Sequence, residues 1–179
     1  MSIEQLATQG RDRLHGGLAS VDTALLRHMR DKALRSCFRR LEETSHRMEH
    51  VATIHHKEYI NDAAARSVNA TLYTLQRIAG PVVWIAFGGD AAADYSVLQP
   101  VALRKVGKLI CVGDDCHALH RAFGTLLPDV VDVPDIATAV AVASRCVADD
   151  VRVILSPATA VGEPTEIVAR QYIHQVNEL

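Results

Sequence analysis

A few short stretches combine residue types that handle anions, protons or metals. Gly88-Gly89-Asp90 follows an apolar run and precedes a segment with helical spacing. Glycines there let the backbone approach an anion, and exposed N–H groups can bind it; the competing reading is an ordinary tight turn. His55-His56 falls between two runs of strand-like alternation, and His117 and His120 stand three apart in a helical segment. Imidazoles titrate at about pH 6.5 and ligate metals. No H-E-x-x-H and no Cys/His grouping with ligand spacing accompanies them, so these histidines read as surface groups and no metal is expected. The four cysteines, Cys37, Cys111, Cys116 and Cys146, have no C-x-x-C spacing and read as reduced thiols, with Cys111 and Cys146 in buried settings. Ser156-Pro157 also follows an apolar run, but without a G-x-S-x-G elbow it reads as a loop start rather than a nucleophile. Neither G-x-x-x-x-G-K-[ST] nor G-x-G-x-x-G occurs, so these residues include no P-loop and no dinucleotide fingerprint.

The elements that must position these groups follow from hydrophobic periodicity. Residues 1–19 contain Gly10, Gly16 and Gly17 and show little period. From Ser20, a helix cap, apolar positions recur at three and four through Leu41, and the opposite face carries Arg27, Arg30, Lys32, Arg35, Arg39 and Arg40. That face is either a solvated one or a surface for an anion or partner. Beyond His46 the period falls toward two. Residues 48–54 and 58–61 predict strands joined by a turn at 55–57, a β-hairpin. Asp62 is a candidate cap for a helix over 63–78. Thereafter strands over 82–87, 108–113, 130–133 and 151–155 alternate with helices over 98–106, 115–123, 136–147 and 166–179, with Pro134 and Asp135 opening the third of these helices.

Continuous apolar strands separated by amphipathic helices require a sheet covered on both faces. The expected fold is therefore α/β, a doubly wound, mainly parallel, Rossmann-like sheet with an N-terminal helical extension and a β-hairpin. The domain reading is an arm and basic amphipathic helix over 1–45 and an α/β domain over 46–179. Ligands of such sheets sit at the C-terminal strand ends, which here are the segments 61–67, 87–96, 113–116 and 156–164.

Composition narrows the class. Of 179 residues 49% are apolar and only 4% aromatic, so the core must be aliphatic. The net charge of −2 gives no electrostatic case for nucleic acid. The first 20 residues carry charges and lack a secretory apolar region, and no apolar run approaches the roughly 20 residues that span a bilayer. The expectation is a cytoplasmic, reduced chain with no nucleic-acid or membrane partner.

Four segments, in order, resemble the C-terminal domain of the D-glutamate-adding branch of the Mur ligase family, over about three quarters of the chain. His46-Arg47-Met48-Glu49 opens the match. Ile60-Asn61-Asp62-Ala63-Ala64-Ala65-Arg66-Ser67 falls where that family has N-D-S-K-A-T-N. Phe87-Gly88-Gly89-Asp90-Ala91-Ala92-Ala93-Asp94-Tyr95-Ser96 falls at G-G-x-D-K-G-x-D-[FY]-S, and Leu155-Ser156-Pro157-Ala158-Thr159-Ala160 at L-S-P-A-C-A-S. The resemblance implies a Mur-ligase C-terminal-type fold and a link to peptidoglycan (cell-wall) precursor synthesis. In the family this domain brings in the amino acid, while two others hold the UDP-sugar peptide and the ATP; neither of those is expected within these residues.

The departures fall on the family's ligand anchors. The lysine of N-D-S-K is Ala64 here and its threonine Arg66; the lysine of the D-K-G turn, which grips glutamate, is Ala91; the serine after S-P-A-C-A is Val161. Losing a charge-assisted hydrogen bond costs about 1.5–3 kcal/mol each, and Arg66 restores charge without the same geometry. Arg47 and Asp62 match family positions that contact the nucleotide; otherwise they pair with each other, or Asp62 caps a helix. The resemblance thus implies a non-catalytic, regulatory or binding domain, a pseudoenzyme, with no catalytic residues, no cofactor and at most weak ATP contact. Its cleft candidates are Arg47, Asp62, Arg66, Gly88, Gly89, Asp90 and Ser156. Candidate partners are a Mur ligase, a second copy of the chain or a small anionic ligand. The alternative is an amino-acid-binding subunit that restores an ATP-dependent amide ligase in trans with an ATP-binding chain.

Overall fold

The computed structural model describes residues 45–88, 92–146, 150–160 and 162–179. The arm and basic helix expected over 1–45, and Gly89, Asp90, Ala91 and Val161, lie outside the described residues, apart from Ser45. Those described belong to one compact unit.

The chain runs β1 (Glu49–Ile54), β2 (Lys57–Asn61), α1 (Val68–Arg77), β3 (Val82–Phe87), a 3-10 turn (Tyr95–Leu98), α2 (Gln99–Lys105), β4 (Val106–Val112), α3 (His117–Phe123), β5 (Val130–Val133), α4 (Ile136–Ser144), β6 (Val151–Leu155) and α5 (Thr165–Asn177). The strands form a six-stranded sheet in the order β1-β2-β6-β3-β4-β5. Only the β1–β2 pair is antiparallel. This is the expected doubly wound α/β fold with its hairpin. Three strands have the bounds their apolar runs predict: β3, β5 and β6.

Side chains alternate between two cores because strand residues point to opposite faces. On β3, Trp84 and Ala86 join one core with Leu75 of α1, Val101 of α2 and Leu119 and Phe123 of α3. Val83 and Ile85 join the other, with Val140 of α4 and Val168, Ala169 and Tyr172 of α5. Trp84 meets Phe123 edge to face, with centroids 5.5 Å apart. Among the described residues no helix is long and apolar enough to cross a membrane.

Several boundaries differ from the periodicity, among them the end of the helix expected over 136–147, which stops at Ser144. The helix expected over 63–78 begins only at Val68, capped by Ser67, whose side chain accepts from the Ala70 N–H; Asp62 is not the cap. Residues 63–65 form a loop instead, with Ala63 and Ala65 buried, fixed where Asp62 N–H donates to Leu155 O at 2.8 Å and Ala158 N–H to Ala65 O at 3.0 Å. Lys57 joins β2, because a two-residue turn leaves it opposite Ile54. Val106, expected in the preceding helix, and Gly107, expected between the two elements, belong to β4, with Val106 opposite Val82. The helix expected from 115 starts at His117.

Candidate functional site

Neighbouring strands β3 and β6 send their chains to opposite faces. α2, after β3, packs in the first core, and α5, after β6, in the second. That divergence is the switch point where this fold class places ligands. The floor of the crevice is tied shut: Phe87 N–H donates to Pro157 O at 3.1 Å, Ser156 N–H to Ile85 O at 3.0 Å and the Trp84 indole to Ser156 O at 2.8 Å.

Beside it, at the end of β2, lies a buried polar network centred on Asp62. Its Oδ1 accepts the Met48 N–H at 3.2 Å and lies 2.9 Å from Arg47 Nη1. Its Oδ2 accepts the hydroxyls of Thr74 at 2.7 Å and Ser156 at 3.0 Å. Thr71 extends the chain, its hydroxyl 2.9 Å from that of Ser156, and Arg47 Nη2 donates to Thr74 at 3.3 Å. The side chains of Arg47 and Asp62 are 2% and 0% exposed, so both charges are out of solvent. The pair is close but not aligned as a hydrogen bond at Nη1, and Arg47 Nε has no acceptor. Burial raises the Asp62 carboxyl from its ordinary 3.8 to about 6, against the opposing pull of Arg47, Thr74, Ser156 and the Met48 N–H.

The approach to Arg47 is irregular. His46 and Met48 on either side have φ of 62° and 47°, a conformation costly for residues with a Cβ. It turns the guanidinium inward. Asn61 secures the same corner, donating to Glu49 Oε2 at 2.9 Å and accepting the Ala63 N–H at 3.1 Å.

The remaining candidates are placed as follows. Arg66 reaches across to α5, Nη1 to Thr165 Oγ at 3.3 Å. Ala64, at the position of the family lysine, is half-buried and its N–H donates to His46 O at 3.2 Å. Gly88 N–H donates to Val112 O. A Cβ added at Gly88 would lie 2.0 Å from Asp115 O, so this glycine admits the loop after β4, a close approach internal to the chain. The structure therefore brings Arg47, Asp62 and Ser156 into one network, while Arg66 and Gly88 engage other segments. Sequence reasoning missed Thr71 and Thr74. Their signal was two hydroxyls three apart on the buried face of an amphipathic helix.

A second grouping escaped linear spacing. The ligand-type atoms of Cys111, Cys116 and Asp132 lie within 4.8 Å of one another. Burial first, then Asp132, push the Cys116 thiol up to about 11. Cys111 is raised further, by burial and then by Cys116 and Asp132. A cleft of about 500 Å³ lies at the opposite, N-terminal end of the strands, lined mostly by apolar groups such as Val83, Val142 and Cys146, remote from both groupings.

The six-stranded, mostly parallel sheet with helices on both faces is a Rossmann-like α/β fold that resembles Mur ligase C-terminal domains. Solved structures agree on the fold. A bifunctional folylpolyglutamate synthase/dihydrofolate synthase from Yersinia pestis superposes with a TM-score of 0.52 at 18% identity, over 76% of this chain and 32% of that one. The UDP-N-acetylmuramate–alanine ligase MurC of Thermotoga maritima gives 0.50 at 10% identity, over 74% and 30%.

In sequence the chain is similar to MurD ligases over most of its length. It is 33% identical over 160 residues to the UDP-N-acetylmuramoylalanine–D-glutamate ligase of Christiangramia forsetii, covering 89% of this chain and 36% of that protein. It is 31% identical over 160 residues to the ligase of the same name from Porphyromonas gingivalis, with the same coverage. The chain thus spans about a third of the length of the curated relatives it matches. No family model matches it.

Proposed function

We propose that this chain is a non-catalytic, MurD-like binding module linked to peptidoglycan precursor synthesis. The observation that carries the reading is the closure of the Asp62–Arg47 corner. Each carboxylate oxygen already has two polar partners, and both charged side chains are essentially unexposed. A carboxylate so occupied has little capacity left for a nucleotide. Ala64 and Ala91 at the lysine positions support the same conclusion, since amide ligation needs cations to hold phosphate and carboxylate in the transition state. Losing two such anchors at about 1.5–3 kcal/mol each weakens anion capture by roughly 150-fold or more. The module's partners are a Mur ligase of the D-glutamate-adding kind or a second copy of itself, engaged at the crevice mouth or through the basic sequence stretch that holds Arg27, Arg30 and Arg35.

The test mixes the full chain with UDP-N-acetylmuramoylalanine, D-glutamate and Mg-ATP and measures phosphate release and thermal shift. The expected result is no release above the blank and no stabilisation by D-glutamate. Glutamate-dependent phosphate release by the chain alone would overturn the reading. Release that appears only after a separate ATP-binding chain is added would replace it with the in-trans ligase subunit. Light scattering and pull-down with a D-glutamate-adding ligase are expected to reveal an oligomer or complex; finding neither removes the binding role.

A further inference from the structure

We propose that Cys111, Cys116 and Asp132 form a binding site for a thiophilic divalent metal ion, zinc by its donor set, with His120 positioning the carboxylate. The inference stands on how the fold assembles these groups and is independent of the proposed function. Cys111 lies on β4 directly opposite Asp132 on β5 in the parallel register, so both side chains leave the same face of the sheet. Cys116 arrives from the loop after β4, immediately before α3, and all three ligand atoms fall within 4.8 Å of one another. Tetrahedral zinc sites with bonds of about 2.0–2.3 Å place their ligand atoms roughly 3.3–3.8 Å apart, a contraction that small side-chain rotations can supply.

The surroundings suit an ion. The Cys111 and Cys116 residues are 0% and 5% exposed, while the Asp132 side chain is 54% exposed. The soft donors are therefore inside and the carboxylate at the mouth, with a way in from solvent. His120 follows Cys116 by four residues and its Nε2 lies 2.7 Å from Asp132 Oδ1. That contact fixes the carboxylate as outer partners of metal ligands do. Among the described residues the ion-pair partner of Asp132 is His120 and no Lys or Arg, so no fixed cation among them neutralises these potential anions. Two thiolates with one carboxylate select a borderline-soft ion over magnesium or calcium, which prefer all-oxygen sets. On binding, both thiol protons pass to solvent as the two metal–sulfur bonds form, and the fourth position faces the open mouth and takes a water.

The site would pin β4, β5 and the start of α3 together at the sheet edge. The test uses the full chain, reduced and freed of metal, titrated with cobalt(II) as the spectroscopic probe and then with zinc. The expected result is a thiolate-to-cobalt charge-transfer band with tetrahedral visible bands that saturates at about one ion per chain and is displaced by zinc. Cys116→Ser lowers the charge-transfer intensity to that of one thiolate or less. Asp132→Asn weakens binding, and His120→Ala weakens zinc binding by about 10–100-fold; Trp84 fluorescence reports that each variant remains folded. Absence of any charge-transfer band in the reduced wild-type chain overturns the proposal without reliance on a variant. So does a band of full intensity in folded Cys116→Ser, which would place the ion at other thiols.

Discussion

Asp62 shows how a single residue type can be read two ways and how geometry chooses. As a ligand contact it needs free lone pairs; in the structure its oxygens meet Arg47, Thr74, Ser156 and the Met48 N–H. Burying an ion pair rarely adds much net stability, but removing one partner is costly, about 3–5 kcal/mol. The carboxyl also carries a pH signature. Its folded value of about 6 lies above the ordinary 3.8, so the folded chain binds this proton more tightly than the unfolded chain. The resulting stability is fully present below about pH 3.8 and is lost as pH rises through about 6. Two units amount to about 3 kcal/mol. Urea unfolding of the wild type and of Asp62→Asn across pH 4 to 7 is the check. The stability difference should move in favour of the variant by a few kcal/mol as pH rises, even if the variant is weaker throughout. A pH-independent difference would show that the carboxyl is ionised and content beside Arg47.

The hairpin sets the terms at the scale of the element. His55 and His56 hold φ of 47° and 59° between Ile54 and Lys57, which face each other across β1 and β2. A two-residue loop with both φ values positive is the type I′ turn, which favours Asn-Gly. Histidine tolerates this conformation at a cost of about 1 kcal/mol or more. Replacing His55→Asn together with His56→Gly should raise the unfolding free energy by about 1 kcal/mol, read as a higher urea midpoint at neutral pH. A lower midpoint would mean that the imidazoles make contacts worth more than the turn strain. The hairpin itself was legible in the sequence, as were β3, β5 and β6, because apolar runs bounded by turn residues have few competing readings. The start of α1 was not. Ala63 and Ala65 open an Ala-rich stretch that reads as helix, but they pack as a loop whose backbone bonds to Leu155 and Ala158 outcompete a helical turn. The Arg47–Asp62 pairing was legible as one of two readings of two opposite charges. The Cys111–Asp132 juxtaposition was not, because residues 21 positions apart in number meet only through the register of parallel strands, which tertiary packing alone decides.

For the whole molecule, the sheet is a shared wall between two aliphatic cores, and β3 is its centre, paired with β4 and β6. Trp84, the one tryptophan, faces the first core, fully buried. Its strand neighbours Val83 and Ile85 face the second core, where α5 lays down Val168, Ala169, Tyr172 and Val176. A cavity made under α5 therefore cannot relax without disturbing the strand that carries the tryptophan, since close-packed interiors transmit strain rather than absorb it. Val168→Ala should cost about 2 kcal/mol from lost burial and the residual void. If the two cores stand or fall as one cooperative unit, tryptophan emission, which samples the first core, and far-ultraviolet dichroism, which samples every helix and strand, will shift to the same lower midpoint with unchanged slope. A dichroism midpoint that falls while the tryptophan midpoint stays put would mean that α5 and its core detach independently. The Asp62 network would then have to be redescribed as part of the first core alone, since Thr71 and Thr74 lie on α1 and only Ser156 arrives from the strand that leads to α5.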